Sequence, residues 1–244
     1  MSNKLIITIL AAGEEKQINS DIPIVLHIFK DKPILVRIVR TALSLNPQKI
    51  IIVTGKHHEL IRDTLTRYID INSVQFVNQQ VPKGTGDAIK TCLPFYHIDS
   101  LSLILNGNVP LINKTFLEKF IDNSYQANIL VAKFENPTGY GRIVYDSNRE
   151  FTEIVEEEDC TEEQRKITII NSGIYLIDSK LLKKYVPMID NNNAMGEYYL
   201  TDIIKLIKQN TDISIDTYLI EKEENRFING VNTLLELSKL ELLS

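Results

Sequence analysis

The chain has 244 residues, 43% hydrophobic and 24% charged, enough for one large core or a core with a small subdomain. Its net charge of −5 and pI near 5.5 exclude a general nucleic-acid or acidic-membrane surface, which needs clustered excess Lys and Arg, but leave small anions open through local geometry. Cys92 and Cys160, the only cysteines, lack C-x-x-C or metal-ligand spacing and read as buried thiols in a reducing compartment, outside any disulfide framework.

The first element is the apolar run Leu5 to Leu10, too short to span a bilayer and followed by no cleavage-like segment, so it reads as the first strand of a cytoplasmic protein with no membrane partner. It ends in Leu10-Ala11-Ala12-Gly13, a small-residue turn whose backbone N–H groups can approach a nucleotide closely. The following Glu14-Glu15-Lys16-Gln17 places two carboxylates where a triphosphate would sit. A helix pattern then runs through Leu35, Ile38, Val39 and Ala42, a strand through Lys49 to Thr54, and a helix through Ile61, Leu65 and Tyr68. Strands follow at Val74 to Asn78 and Leu101 to Asn106. This is a βαβ rhythm, and its continuous apolar runs predict strands buried on both faces, with ligands beyond their carboxyl ends. Gly13, Gly55 and Gly107 each lie just past such a run.

From Asn128 the pattern turns strand-rich, with Ile129 to Phe134, Ile143 to Tyr145, Phe151 to Val155 and Ile167 to Leu176, and predicts a mixed or antiparallel extension over the sheet. This half is expected to carry the acceptor pocket. Two late helices place Leu200, Ile203, Ile204 and Ile207 on one face and Leu234, Leu237 and Leu240 on another. The acidic stretch Glu153, Glu156, Glu157, Glu158, Asp159, Glu162 and Glu163 reads most simply as a solvated hairpin and helix face. His27, His57, His58 and His97 show no ligand spacing.

Several short segments join the first loop in a fixed order. Gln79-Gln80-Val81-Pro82-Lys83-Gly84-Thr85-Gly86 leaves the third strand and enters a helix, where amides and a carboxamide can read a base edge. Asn136-Pro137-Thr138-Gly139-Tyr140-Gly141-Arg142, Ile154-Val155-Glu156, Asn171-Ser172-Gly173 and the segment Asn191 to Asp202 follow. With these segments the chain resembles, over nearly its full length, the uridylyltransferase domain of the UDP-N-acetylglucosamine pyrophosphorylase family, without the hexapeptide-repeat acetyltransferase domain of its bifunctional members. The resemblance implies a Rossmann-like α/β nucleotidyltransferase fold: a mostly parallel central sheet flanked by helices, with a smaller mixed-sheet acceptor subdomain. It implies a single domain over 1–244, with a nucleotide-binding half at 1–127 and a sugar-binding half at 128–244.

Residue by residue, the resemblance implies that Leu10, Ala11, Ala12, Gly13 and Gln79 hold uracil, while Gly84 and Thr85 pack against the nucleoside. Gly141, Glu156, Asn171, Tyr199 and Thr201 are implied to line the sugar pocket. The phosphate side departs from the family pattern. The loop pattern Gly-x-Gly-Thr-Arg-Met has Glu15, Lys16 and Gln17 at its second glycine, threonine and arginine. The lysine of Leu-Pro-Lys-Val-Leu-His is Ile24, and the metal aspartate of Tyr-Gly-Asp-Val-Pro-Leu is Asn108, while the second metal position, Asn232, is kept. An Asn108/Asn232 pair is expected to hold Mg²⁺ more weakly than an Asp/Asn pair, because Mg²⁺ prefers hard anionic oxygens. Lys16 and Lys83 lie beside the altered positions and are the candidate substitutes, although a lysine cannot reproduce a bidentate arginine fork.

Two functional readings follow. The first is an enzyme forming UDP-N-acetylglucosamine and pyrophosphate from UTP and N-acetylglucosamine 1-phosphate with Mg²⁺. The second is a UDP-sugar-binding relative with impaired catalysis, since nucleotidyl transfer depends on cationic stabilisation of the phosphoryl oxygens. A nucleotidyltransferase acting on another hexose phosphate is a third possibility.

Overall fold

A computed structural model of the chain describes residues 4–13, 20–122 and 126–243. Its frame is one nine-stranded sheet. The first four strands are β1 (Lys4–Ala11), β2 (Lys49–Thr54), β3 (Gln75–Asn78) and β4 (Ser100–Asn106). They lie in the order β3-β2-β1-β4 and are all parallel, with Leu10 of β1 paired to Val53 on one side and Asn106 on the other. The chain therefore crosses the sheet between β3 and β4, and the crevice beyond the carboxyl ends of β1 and β4 is the topological switch point where such sheets bind ligands.

The alternation of β1 explains its nearly continuous apolar sequence, interrupted within by Thr8. Ile7, Ile9 and Ala11 join one buried cluster with α1 (Ile34–Ser44), α2 (His58–Leu65), α4 (Lys114–Asp122) and α8 (Leu234–Leu243). Ile6, one residue out of phase, joins the opposite cluster with α3 (Thr85–Cys92), α6 (Ser179–Tyr185) and α7 (Asp202–Asn210). Ile50 and Ile52 against Ile51 and Val53 repeat the division in β2. With side chains alternating every residue, both faces must be apolar when helices cover both. In the second layer the buried Tyr96 hydroxyl bonds Thr8 Oγ1 at 2.8 Å.

The second half continues the same sheet. β5 (Ala127–Lys133), β6 (Arg142–Tyr145), β7 (Phe151–Val155), β8 (Ile169–Asp178) and β9 (Ile215–Leu219) follow in sequence. β8 runs antiparallel between β4 and β5, β9 adds a parallel edge on β5, and the β6–β7 hairpin hangs from β8. The expected strands and helices are all found, with Tyr68 and Leu200 just outside α2 and α7 and the expected strand ends Val74, Phe134 and Ile167 just outside β3, β5 and β8. β9, α4 and α6 were not anticipated, whereas the short α5 (Glu162–Arg165) falls in the acidic stretch read as a hairpin and helix face. β9 reads Ile-Asp-Thr-Tyr-Leu and is only half-buried at the sheet edge, which leaves little apolar signal. Both cysteines are free and buried, and burial pushes the Cys92 thiol up to about 12. Among the described residues no helix is long and apolar enough to cross a membrane.

β8 is interrupted where it passes the switch point. Its register on β5 shifts between Asn171 and Tyr175. Side chains satisfy the displaced backbone: Gly173 N donates to Asn171 Oδ1 (3.1 Å), Ile174 N to Ser172 Oγ (3.2 Å), and Asn106 Nδ2 to Ser172 O (3.2 Å). Gly173 has φ +75°, and a methyl group there would lie 2.4 Å from Asn106 Nδ2. Gly173→Ala is expected to destabilise the fold by about 1–3 kcal/mol, from a left-handed backbone forced on a Cβ and from contact with Asn106. Urea unfolding checks this, and an unchanged midpoint contradicts it.

Candidate active site

The bulge opens onto a cleft of about 710 Å³ at the carboxyl ends of β1 and β4. Leu10, Ala11 and Gly13 from the first loop, Asn106 and Asn108 from the end of β4, and Asn171, Ser172 and Gly173 from the β8 bulge share its wall. Gly139, Tyr140 and Gly141, together with Glu156, form the side toward the β6–β7 hairpin, and Asn232 and Glu236 close the side toward α8. Thr85 reaches the wall from the start of α3. Among the described residues that line the cleft, none is Lys, Arg or His, and the carboxylates are Glu156 and Glu236.

The segment before α3 is fastened to the segment before α7. Tyr198 N donates to Lys83 O (2.8 Å), Gly86 N to Tyr198 O (2.7 Å), and Leu200 N to Thr85 Oγ1 (3.0 Å). Gly84 sits at φ +107°, and a Cβ there would stand 2.5 Å from Tyr198 O, so only glycine allows this approach. Gln79 is buried behind the loop. Its Nε2 donates to Gly84 O (3.2 Å) and Asp87 Oδ2 (2.7 Å), bracing the loop against α3.

Glu156 stands at the partition between the cleft and a second hollow of about 490 Å³. Its Oε1 accepts from Thr201 Oγ1 (2.9 Å), while a methyl on Gly141 would lie 3.1 Å from its Oε2. Burial raises its carboxyl above the usual range against the Thr201 hydrogen bond, and the charges of Asp202, Asp159 and Glu197 raise it further. Tyr199, in the second hollow, is pushed up to about 12 by burial and by the nearby carboxylates, Asp159 foremost. Asn171 Nδ2 donates to the buried Tyr175 hydroxyl (2.7 Å), which fixes the carboxamide plane.

The turn Gly139-Tyr140-Gly141 is held by an ion pair between the buried Arg142 and the half-buried Glu157. Arg142, 1% exposed, donates through Nη2 to Glu157 Oε2 (2.7 Å) and through Nη1 to Tyr140 O. Gly139 N also donates to Glu157 Oε2 (3.0 Å), and Arg165 Nη1 to its Oε1 (2.6 Å). Burial would raise the Glu157 carboxyl, but the Arg142 and Gly139 hydrogen bonds and the two guanidinium charges outweigh it and hold the group below the usual range. Glu157 thus departs from the solvated face expected for the acidic stretch. Sequence proximity does not reveal this pairing, because the β6–β7 hairpin that makes it intervenes between residues 142 and 157.

On the α8 side, Asn108 Nδ2 donates to Asn232 Oδ1 (2.9 Å) and to Val231 O (3.2 Å). Among the described residues no three His, Cys, Asp or Glu side chains gather to hold a metal. Leu10, Ala11, Gly13, Thr85, Gly141, Glu156, Asn171, Asn108 and Asn232 therefore meet in one cleft. Tyr199 and Thr201 open into the second hollow, whereas Ala12, Gln79, Lys83 and Gly84 line neither hollow. The expectations placed on Glu14, Glu15, Lys16 and Gln17 lie outside the described residues. Glu236 was missed, although Thr233-x-x-Glu236 before an apolar run is a readable capping signal.

The nucleotidyl transferase family model matches residues 19–221. The chain belongs to that family. A probable UDP-N-acetylglucosamine pyrophosphorylase of Acanthamoeba polyphaga mimivirus is 39% identical over 249 residues, covering 100% of this chain and 98% of the viral protein. The bifunctional protein GlmU of Francisella tularensis subsp. novicida is 41% identical over 240 residues, covering 97% of this chain but 51% of that protein, so the chain spans about half the length of this relative. Among solved structures, HddC from Yersinia pseudotuberculosis complexed with GMP-PN superposes with a TM-score of 0.69 at 21% identity, over 98% of this chain and 99% of that one. A putative glucose-1-phosphate thymidylyltransferase from Bacillus anthracis gives 0.70 at 19% identity, over 98% and 94%. At such identities these two establish the shared nucleotidyltransferase fold, a mostly parallel sheet with flanking helices.

Proposed function

We propose that this family member is a sugar-1-phosphate uridylyltransferase that forms UDP-N-acetylglucosamine and pyrophosphate from UTP and N-acetylglucosamine 1-phosphate. The observation that carries this reading is the meeting of the first-loop backbone with Gly141, Glu156 and Asn171 in one cleft. The full-length likeness to the viral relative supports the same substrates, and the likenesses give no support to a non-catalytic alternative. We assign uridine to the half at 1–127, through Leu10 to Gly13 and the Gly84-Thr85 turn braced by Gln79. We assign the sugar to the half at 128–244, with Glu156 and Asn171 bonding its hydroxyl and amide groups and Tyr199 and Thr201 supporting Glu156 from behind.

In the reaction an oxygen of the sugar phosphate attacks the α-phosphorus of UTP in line, a P–O bond forms, the bond from that phosphorus to the bridging oxygen breaks, and pyrophosphate leaves with the electron pair. Catalysis is then positioning plus neutralisation of phosphoryl charge. The described cleft wall carries no cation, so we assign that role to Lys16 and Lys83 and to Mg²⁺. Asn108 and Asn232 are the residues that would hold Mg²⁺; the Asn108 carboxamide oxygen has no hydrogen-bond partner among the described residues and is the hard donor type the ion accepts. When bound, the ion would supply positive charge to the phosphoryl oxygens. We assign the protein to the cytoplasm.

Incubation with UTP, N-acetylglucosamine 1-phosphate and Mg²⁺ is expected to release pyrophosphate and one equivalent of UDP-N-acetylglucosamine, with release abolished by chelation. Tight binding of UDP-N-acetylglucosamine by calorimetry with no pyrophosphate release would falsify the enzymatic reading.

A further inference from the structure

Glu236 stands in the first turn of α8 and forms a reciprocal capping box: its backbone N–H donates to Thr233 Oγ1 (3.1 Å), and Thr233 N donates back to its Oε2 (3.2 Å). The same Oε2 accepts from Asn232 N (2.7 Å). A glutamine supplies an equivalent acceptor in such a box, so the cap does not require the charge. The other oxygen, Oε1, has no hydrogen-bond partner among the described residues, and Glu236 lines the cleft. Asn232 connects this carboxylate to Asn108: its backbone N–H holds Glu236 while its side-chain Oδ1 accepts from Asn108 Nδ2 (2.9 Å). A neutral carboxamide pair brings no charge to a cation, and the only other carboxylate among the described cleft residues, Glu156, is bound to Thr201 on the sugar side.

We propose that Glu236 supplies the anionic oxygen of a divalent-cation site shared with Asn108 and Asn232. The proposal rests on the cleft assigned above. The missing negative charge would then come from the first turn of α8 instead of the end of β4, with Asn108 Oδ1 and Glu236 Oε1 the oxygens that would hold a cation. An oxygen-ligand set of this kind suits Mg²⁺ or Mn²⁺, and its affinity scales with ligand charge.

The probe is Mn²⁺, titrated by electron paramagnetic resonance into the full chain alone and with saturating UTP. Glu236→Gln is expected to weaken Mn²⁺ binding about tenfold or more in both titrations, with the thermal midpoint retained because the cap persists. Asn108→Asp in that background is expected to restore most of the lost affinity. Unchanged Mn²⁺ affinity in Glu236→Gln overturns the assignment, as does absence of Mn²⁺ binding by the unsubstituted chain in both titrations. A loss of affinity that tracks a fall in thermal midpoint and is not rescued by Asn108→Asp assigns Glu236 to capping alone and also overturns it. Calorimetry with UDP-N-acetylglucosamine on the metal-free protein reports on the proposed function separately. No binding there, with the Mn²⁺ difference intact, removes the nucleotide-sugar reading and leaves the Glu236 assignment standing.

Discussion

Replacing Glu156 with Ala is expected to lower kcat/KM for N-acetylglucosamine 1-phosphate by about 10–200-fold, the equivalent of losing one hydrogen bond to a charged acceptor, about 1.5–3 kcal/mol. The carboxylate divides its two oxygens between Thr201 and the cleft beside Gly141, so its removal takes away a sugar acceptor and also leaves the Thr201 hydroxyl, on a residue 4% exposed, without its partner. Glu156→Gln separates these effects. It retains an acceptor for Thr201 and loses only the charge, so it should recover stability while remaining impaired for the sugar phosphate. UTP affinity, assigned to the other half of the cleft, should be unaffected by either change. Equal losses for UTP and the sugar phosphate would remove Glu156 from the sugar side.

The same residue gives a pH signature. Burial, reinforced by the charges of Asp202, Asp159 and Glu197, raises the folded-state carboxyl of Glu156 above its ordinary value. For an acid shifted upward, the native state binds the proton more readily than the unfolded chain. The contribution of Glu156 therefore favours folding below its ordinary pKa and is lost as pH rises through the raised one. Sugar binding runs in the opposite direction, since only the ionised form is a pure acceptor. Affinity for the sugar phosphate should fall as pH drops through the raised carboxyl, at higher pH than an exposed glutamate would give, and this acid limb should vanish in Glu156→Gln.

Much of this arrangement was legible in the sequence because parallel strands covered on both faces are apolar at most positions on both. Leu5 to Leu10 and Lys49 to Thr54 could hardly be anything else, and Ile6 and Ile7 do face opposite layers. Asn171, Glu156 and the first loop, which share one cleft wall, stand out in the sequence through ordered short segments. What stayed hidden depends on tertiary partners. Gln79 has the residue type of a base reader, and its Nε2 donates to Gly84 O and Asp87 Oδ2, partners that its place in the sequence does not announce. Tyr199 and Thr201 look into a hollow on the far side of Glu156, a distinction that spacing along the chain does not carry. Glu157 was one acid among many until the β6–β7 hairpin set it against a buried guanidinium.

That pairing yields the largest expected effect on stability. Glu157→Ala should cost about 3–5 kcal/mol, because it strands the Arg142 guanidinium at 1% exposure instead of merely deleting a contact. Arg142 Nε already lacks a partner, so little remains to receive the charge. The Gly139 N–H and Arg165 lose their acceptor as well, and the turn that carries Gly141 to the cleft is freed at one end. Coupling follows from this geometry: Glu157→Ala should weaken sugar-phosphate binding without touching the ligand, whereas an exposed neighbour such as Glu158 should do neither when replaced. Replacing both Arg142 and Glu157 by apolar residues should recover much of the stability, since the penalty lies in the unpaired charge. The pH dependence again has a definite sign. The Glu157 carboxyl is held below its ordinary value, so its stabilisation is complete above that value and disappears as pH falls through the lowered one. Urea unfolding across acidic pH should therefore show the gap between native protein and Glu157→Gln closing toward the acid end. A gap that is small at neutral pH, or constant across the range, would place the support of the Gly139–Gly141 turn elsewhere.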